Sequence, residues 1–138
     1  MTTAEQSVEF HQLISAQPGE VFHAFASAPA WCRWCCDEAE VDPQVGGLLV
    51  VRTPGYEARG LFTAWEPDRR LAFTWHGTGE PPTQVDVALS VRDGATQMDF
   101  RVTNLGDEEA WAGTAHVFIS AWSRALANMK SVLEGSGS

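Results

Sequence analysis

Between residues 107 and 134 the chain carries no proline, and one apolar stripe runs through Trp111, Ala115, Phe118, Trp122, Leu126, Met129 and Leu133. The steps are 4, 3, 4, 4, 3 and 4 residues. That repeat predicts one apolar stripe along an amphipathic helix of about seven turns. Between residues 41 and 104 the pattern switches to alternation punctuated by Gly and Pro. Gly46-Gly47 leads into a strand over 48–53, Pro54-Gly55 turns it, and a second strand over 56–66 ends at Pro67-Asp68. Leu71, Phe73 and Trp75 share one face of a short strand. Val85, Val87, Leu89 and Val91 do the same in the next, and Met98, Phe100 and Val102 in the last. Asp93-Gly94 between those two signals a tight hairpin. Each late strand alternates with polar residues, as expected of a sheet with one buried and one wet face.

Ahead of the sheet, residues 8–16 have the composition of a first strand, with Val8, Phe10, Leu13 and Ile14. Pro18 suits the first turn of a short helix over 17–26, where its missing N–H would have been unpaired anyway. A second short helix is expected over 30–35, started by Pro29. The order predicts an α+β fold of the helix-grip kind. A curved antiparallel sheet of six to seven strands wraps a long C-terminal helix, with two short helices after the first strand. The reading gives one domain over 8–134, with flexible ends at 1–7 and 135–138.

Composition narrows the function more than it defines it. Eighteen acidic against nine basic residues leave a net charge of −9, and the densest basic run is Arg69-Arg70. Nucleic acid and anionic membrane surfaces would be repelled, so neither is expected as a partner. No apolar run reaches the ~20 residues of a membrane span, and the first residues lack a basic region and an apolar core. A cytoplasmic protein is expected. Six Trp and seven Phe stand against one Tyr. Such rings fill cores, and they also line cavities for apolar ligands.

Cys32, Cys35 and Cys36 are odd in number and tightly spaced, which is not a disulfide framework. A redox pair would follow a strand at a helix start in a βαβ unit, and the pattern contains none. A zinc site would need a fourth ligand, with Asp37 and His23 nearest in sequence. Half-buried thiols under the short helices are the expected reading. His11, His23, His76 and His116 are scattered, and no Gly-x-Ser-x-Gly, His-Glu-x-x-His or phosphate loop is present. Asp107, Glu108 and Glu109 belong at the start of the long helix, where they meet its positive end. No catalytic residue, metal or cofactor is expected.

Five segments in this order resemble one family. Ala16-Gln-Pro-Gly-Glu-Val-Phe22 is similar to the Ala-x-x-Glu-x-Val-Trp opening of a first helix, and Trp31 or Trp34 stands where a Trp follows it. Asp42-Pro-x-x-Gly-Gly47 resembles the family's step into the sheet. The stretch Gly60-x-Phe62-x-x-Trp65-x-Pro67-Asp68-x-Arg70-Leu71-x-Phe73-Thr74-Trp75 is the most specific match. Trp122-x-x-x-Leu126-x-x-Met129 resembles the last helix, with Ala121 where a Gly usually precedes the Trp. Together they resemble the SRPBCC (START/Bet v-like) superfamily, in the branch related to the activator of the heat-shock-protein-90 ATPase.

The resemblance implies a cavity between sheet and C-terminal helix that binds a small hydrophobic molecule, lipid-like, aromatic or polyketide-like, without catalysis. Its lining would come from Phe22, Phe25, Trp31, Trp34, Phe62, Phe73, Trp75, Phe100, Phe118, Trp122 and Met129. Within that set Trp122 is expected to face Phe73, Trp75 or Phe100. The alternatives are a polyketide cyclase/aromatase or hydrolase, which needs two polar side chains converging in the cavity, and a module that interacts with the chaperone. A monomer or weak dimer is expected.

Overall fold

A computed structural model describes residues 6–135. The ends expected to be flexible, 1–7 and 135–138, lie for the most part outside those residues. Strand β1 (Ser7–Ile14) is followed by helices α1 (Pro18–His23) and α2 (Ala28–Trp31), then by β2 (Glu38–Val41), β3 (Leu48–Thr53) and β4 (Tyr56–Glu66). β5 (Arg70–Gly77), β6 (Thr83–Arg92), β7 (Ala95–Asn104) and the long α3 (Glu108–Gly135) complete the chain. The strands form a seven-stranded sheet in the order β1-β7-β6-β5-β4-β3-β2, and every neighbouring pair is antiparallel. The fold is the expected α+β helix-grip.

Two local expectations are corrected. After the short helices the strands resume at Glu38, ahead of the strand expected over 48–53. β2 is only four residues long, exposing Glu38 and Glu40 while half-burying Ala39 and Val41, and so short an alternation hides in sequence. Arg52 of β3 holds this edge by reaching Glu40 at 2.9 Å. The second short helix starts at Ala28 and not at Ala30, because Ser27 caps it: its Oγ accepts the Ala30 N–H at 3.2 Å. Residues 32–35 are turns, as the chain swings into the edge of β3, where Asp37 N–H donates to the Arg52 carbonyl.

The sheet bends because β4 carries a register shift between Phe62 and Ala64 and because Gly60 lets β5 approach. A Cβ at Gly60 would lie 1.8 Å from the Thr74 carbonyl oxygen, so only glycine fits. The concave face receives α3. Asp107 caps that helix, its carboxylate accepting the Ala110 N–H at 3.0 Å. The far end is latched to the end of β1: Lys130 Nζ donates to the Leu13 carbonyl at 2.6 Å, and Glu134 accepts the Ser15 N–H at 2.9 Å. The stripe lands as its spacing predicts, with Trp111, Phe118, Trp122, Leu126 and Met129 buried. Among the described residues no helix is long and apolar enough to cross a membrane.

Candidate functional site

A 390 Å³ cavity lies between the middle of α3 and the sheet. Its helix wall is Val117, Ala121, Arg124 and Asn128, flanked by Phe118, Trp122 and Ala125 of the core stripe. The first four repeat at steps of 4, 3 and 4, a second stripe beside the buried one. From Val117 to Asn128 the helix rises ~16 Å, which sets the length of that wall. The sheet wall is Val51 and Thr53 of β3, Tyr56 of β4, Trp75 of β5 and Glu80 of the following loop. Trp34 and Cys35, from the turn after α2, complete it. Most of this surface is apolar.

Ten of the eleven predicted lining residues divide into two groups. Trp34, Trp75, Phe118 and Trp122 border the cavity. Phe22, Phe25, Trp31, Phe62, Phe73 and Phe100 pack with other rings in the core. Trp31 lies at the centre of this cluster, in contact with Phe25 at 5.5 Å, Trp34 at 4.9 Å, Phe73 at 5.6 Å and Trp75 at 6.2 Å. Met129 is fully buried and borders only a 30 Å³ hollow beside His23 and Ala24. Trp122 meets Trp75 at 4.9 Å and Phe100 at 4.8 Å, two of the three partners its helical register predicts.

The structure adds a polar group that the sequence reading missed. Tyr56 donates its phenol proton to Glu80 Oε1 at 2.7 Å, and Trp75 Nε1 donates to the Tyr56 oxygen at 3.0 Å. The pair lies over Gly77, where a Cβ would come within 2.0 Å of the Tyr56 oxygen and 2.2 Å of Glu80 Oε1. Burial raises the Glu80 carboxyl above the usual range, while hydrogen bonds from Tyr56 and Trp75 pull the other way. Burial likewise pushes the Tyr56 phenol far up, so it stays a proton donor at neutral pH. Tyr56 shares a strand face with Ala58 and Phe62, a parity signal that was available. Glu80 lies in the Gly77–Pro82 connection, where no periodicity points anywhere.

The remaining candidates do not converge. His11 bonds Asp99 at 2.7 Å in solvent, His76 and His116 are exposed, and no His borders the 390 Å³ cavity. Cys32 and Cys36 have their sulfurs 3.5 Å apart. Cys35 reaches the cavity, but burial pushes its thiol up to about 12, so it is a poor nucleophile at neutral pH. No group of three or more His, Cys, Asp or Glu side chains able to hold a metal occurs among the described residues. A more open hollow of 450 Å³ shares Thr53 and Tyr56. Its Arg52 and Glu57 neutralise each other at 2.9 Å.

Comparison with known proteins agrees with the fold. The sequence profile of the family described as activator of Hsp90 ATPase homolog 1-like protein matches residues 15–134. The crystal structure of CalU16 from Micromonospora echinospora superposes with a TM-score of 0.71 at 24% identity, over 91% of this chain and 74% of that one. DynU16, from the dynemicin biosynthetic locus, gives 0.82 at 20% identity over 95% of this chain, which spans 48% of DynU16. The Aha1 dimer from Colwellia psychrerythraea gives 0.77 at 18% identity, over 94% and 96% of the two chains. No curated protein matches the sequence. At these identities the structural likeness speaks for the fold alone.

Proposed function

The chain belongs to the activator of Hsp90 ATPase homolog 1-like family, and we propose that this member binds a small, flat, hydrophobic molecule between α3 and the sheet without transforming it. The observation that carries this is the aromatic wall: Trp34, Trp75, Phe118 and Trp122 border one 390 Å³ space that none of the described residues fills. That volume is at the small end of the ~300–1,000 Å³ of ligand sites, which suits a guest of one to three fused rings. A neighbour of the same fold from a biosynthetic locus supports a small-molecule role.

Ala121 gives the cleanest test, because it borders the cavity from an exposed helical position. Ala121→Trp fills the space without breaking a core contact. The expected result is saturable quenching of tryptophan emission by N-phenyl-1-naphthylamine in the parent chain. The variant should bind at least about tenfold more weakly, a loss of ~1.4 kcal/mol, and melt within ~3 °C of the parent. Equal affinities in the two chains would place the probe elsewhere.

A second reading is favoured by the Tyr56–Glu80 pair. Two polar groups converging in an apolar cavity can pass a proton to or from a bound carbonyl compound, as a cyclase would need. The readings separate on the fate of the guest. A bound β-diketone would exchange the hydrogens between its carbonyls for deuterium faster with protein than without if the pair is catalytic, and at the buffer rate if the site only binds.

A further inference from the structure

A carboxyl group placed inside an aromatic cavity calls for a chemical reason, because a buried charge without a partner is costly. Glu80 is partly buried at the cavity wall, and no ion pair of the described residues includes it. Its Oε1 is occupied by the Tyr56 phenol, which is in turn fixed by the Trp75 indole N–H. This chain of bonds holds the carboxyl in place. Around it stand the rings of Trp75 and Trp122, 4.9 Å apart and tilted by 59°. Ring faces carry the negative side of the aromatic quadrupole and attract cations. A chain with a net charge of −9 also draws cations toward its surface.

We propose that the guest of this cavity is a hydrophobic amine: its ring lies against Trp75 and Trp122, and its ammonium group donates to Glu80. The inference rests on the ligand-binding reading above and specifies the chemistry of that site. The ammonium supplies the partner that the carboxyl lacks, and the fixed Tyr56–Glu80 bond means little is reorganised when it arrives. Arg124 borders the same cavity from the helix wall and opposes a cation, although its exposure to solvent screens it. His76 faces Glu80 electrostatically from the end of β5 but is exposed. Neither is ion-paired to Glu80.

Three isosteric probes at pH 7 decide it: 2-naphthylmethylamine, 2-naphthalenemethanol and 2-naphthoic acid, titrated calorimetrically into the parent chain, Glu80→Gln and Arg124→Gln. Glu80→Gln keeps the acceptor that Tyr56 needs and changes the net charge by one unit of nine, so general attraction of cations survives it. The amine should bind the parent at least about tenfold more tightly than the alcohol, and Glu80→Gln should remove that advantage while moving the alcohol by less than about threefold. Arg124→Gln should strengthen the amine. Equal binding of amine and alcohol, tighter binding of the acid, or an amine advantage that persists in Glu80→Gln would overturn the amine assignment and leave the cavity reading standing. Binding of none of the three would sink the cavity reading itself. If Glu80→Gln fails to fold, Tyr56→Phe serves instead, because freeing Oε1 from the phenol should alter amine affinity and leave the alcohol nearly unchanged.

Discussion

Replacing Trp31 by Ala should abolish cooperative folding or lower Tm by about 15 °C or more. The ring is fully buried. It stacks on Trp34 at 4.9 Å and meets Phe25 at 5.5 Å and Phe73 at 5.6 Å, edge to face. Deleting a buried Trp costs ~3–5 kcal/mol in transfer and cavity terms. The indole N–H also donates to the Phe25 carbonyl at 3.0 Å, so the variant leaves an orphaned buried acceptor worth a further ~1–3 kcal/mol. Against the ~5–15 kcal/mol that holds a domain together, that sum is most of the total. Trp31→Phe retains a ring but loses the N–H and part of the indole volume, so it should fall between the parent and Trp31→Ala. Thermal melting of both variants checks the account, and a Trp31→Ala protein melting within a few degrees of the parent would show the ring to be dispensable.

Trp122→Ala should have a two-sided effect. Its ring is 4% exposed, wedged between Trp75 and Phe100, and it also borders the cavity. Because one edge already faces open space, the loss should fall at the low end of the range, about 3 kcal/mol, or a Tm lower by roughly 10 °C. The aromatic wall goes with it, so affinity for N-phenyl-1-naphthylamine should drop by more than about tenfold. Urea melts and a fluorescence titration read the two effects separately. Lost stability with unchanged probe affinity would put Trp122 in the core alone, and unchanged stability would mean that the helix register is wrong.

Much of the fold could be read from periodicity because the buried faces are long. Seven apolar positions over the last helix, and three or four per strand in β5, β6 and β7, leave one register that buries them. Short elements escaped. β2 has only two inward residues, and the start of α2 is decided by one Ser27 hydroxyl rather than by Pro29. The cavity was legible only in part, for a different reason. Aromatic residues on inward faces mark the core, yet sequence cannot say where the core stops filling. That boundary arises where Ala121 and Ala125 present small side chains to the sheet and where α3 is latched at its far end by Lys130 and Glu134. Four of the eleven expected lining residues border the space, and six pack with other rings. The polar pair was missed because Glu80 comes from a loop and Tyr56 from the start of a strand. They meet only after Gly77 allows the close approach.

The central claim is that the space between α3 and β5 takes up a small aromatic guest. Intermolecular nuclear Overhauser effects between N-phenyl-1-naphthylamine and the isotopically labelled chain test it most directly. Contacts from the probe's ring protons to Trp75, Phe118 and Trp122 are the expected result, with Ala121→Trp abolishing them. Contacts confined to the outer sheet face around Leu48 and Leu61, which are exposed and directly opposed in the β3–β4 ladder, would contradict it.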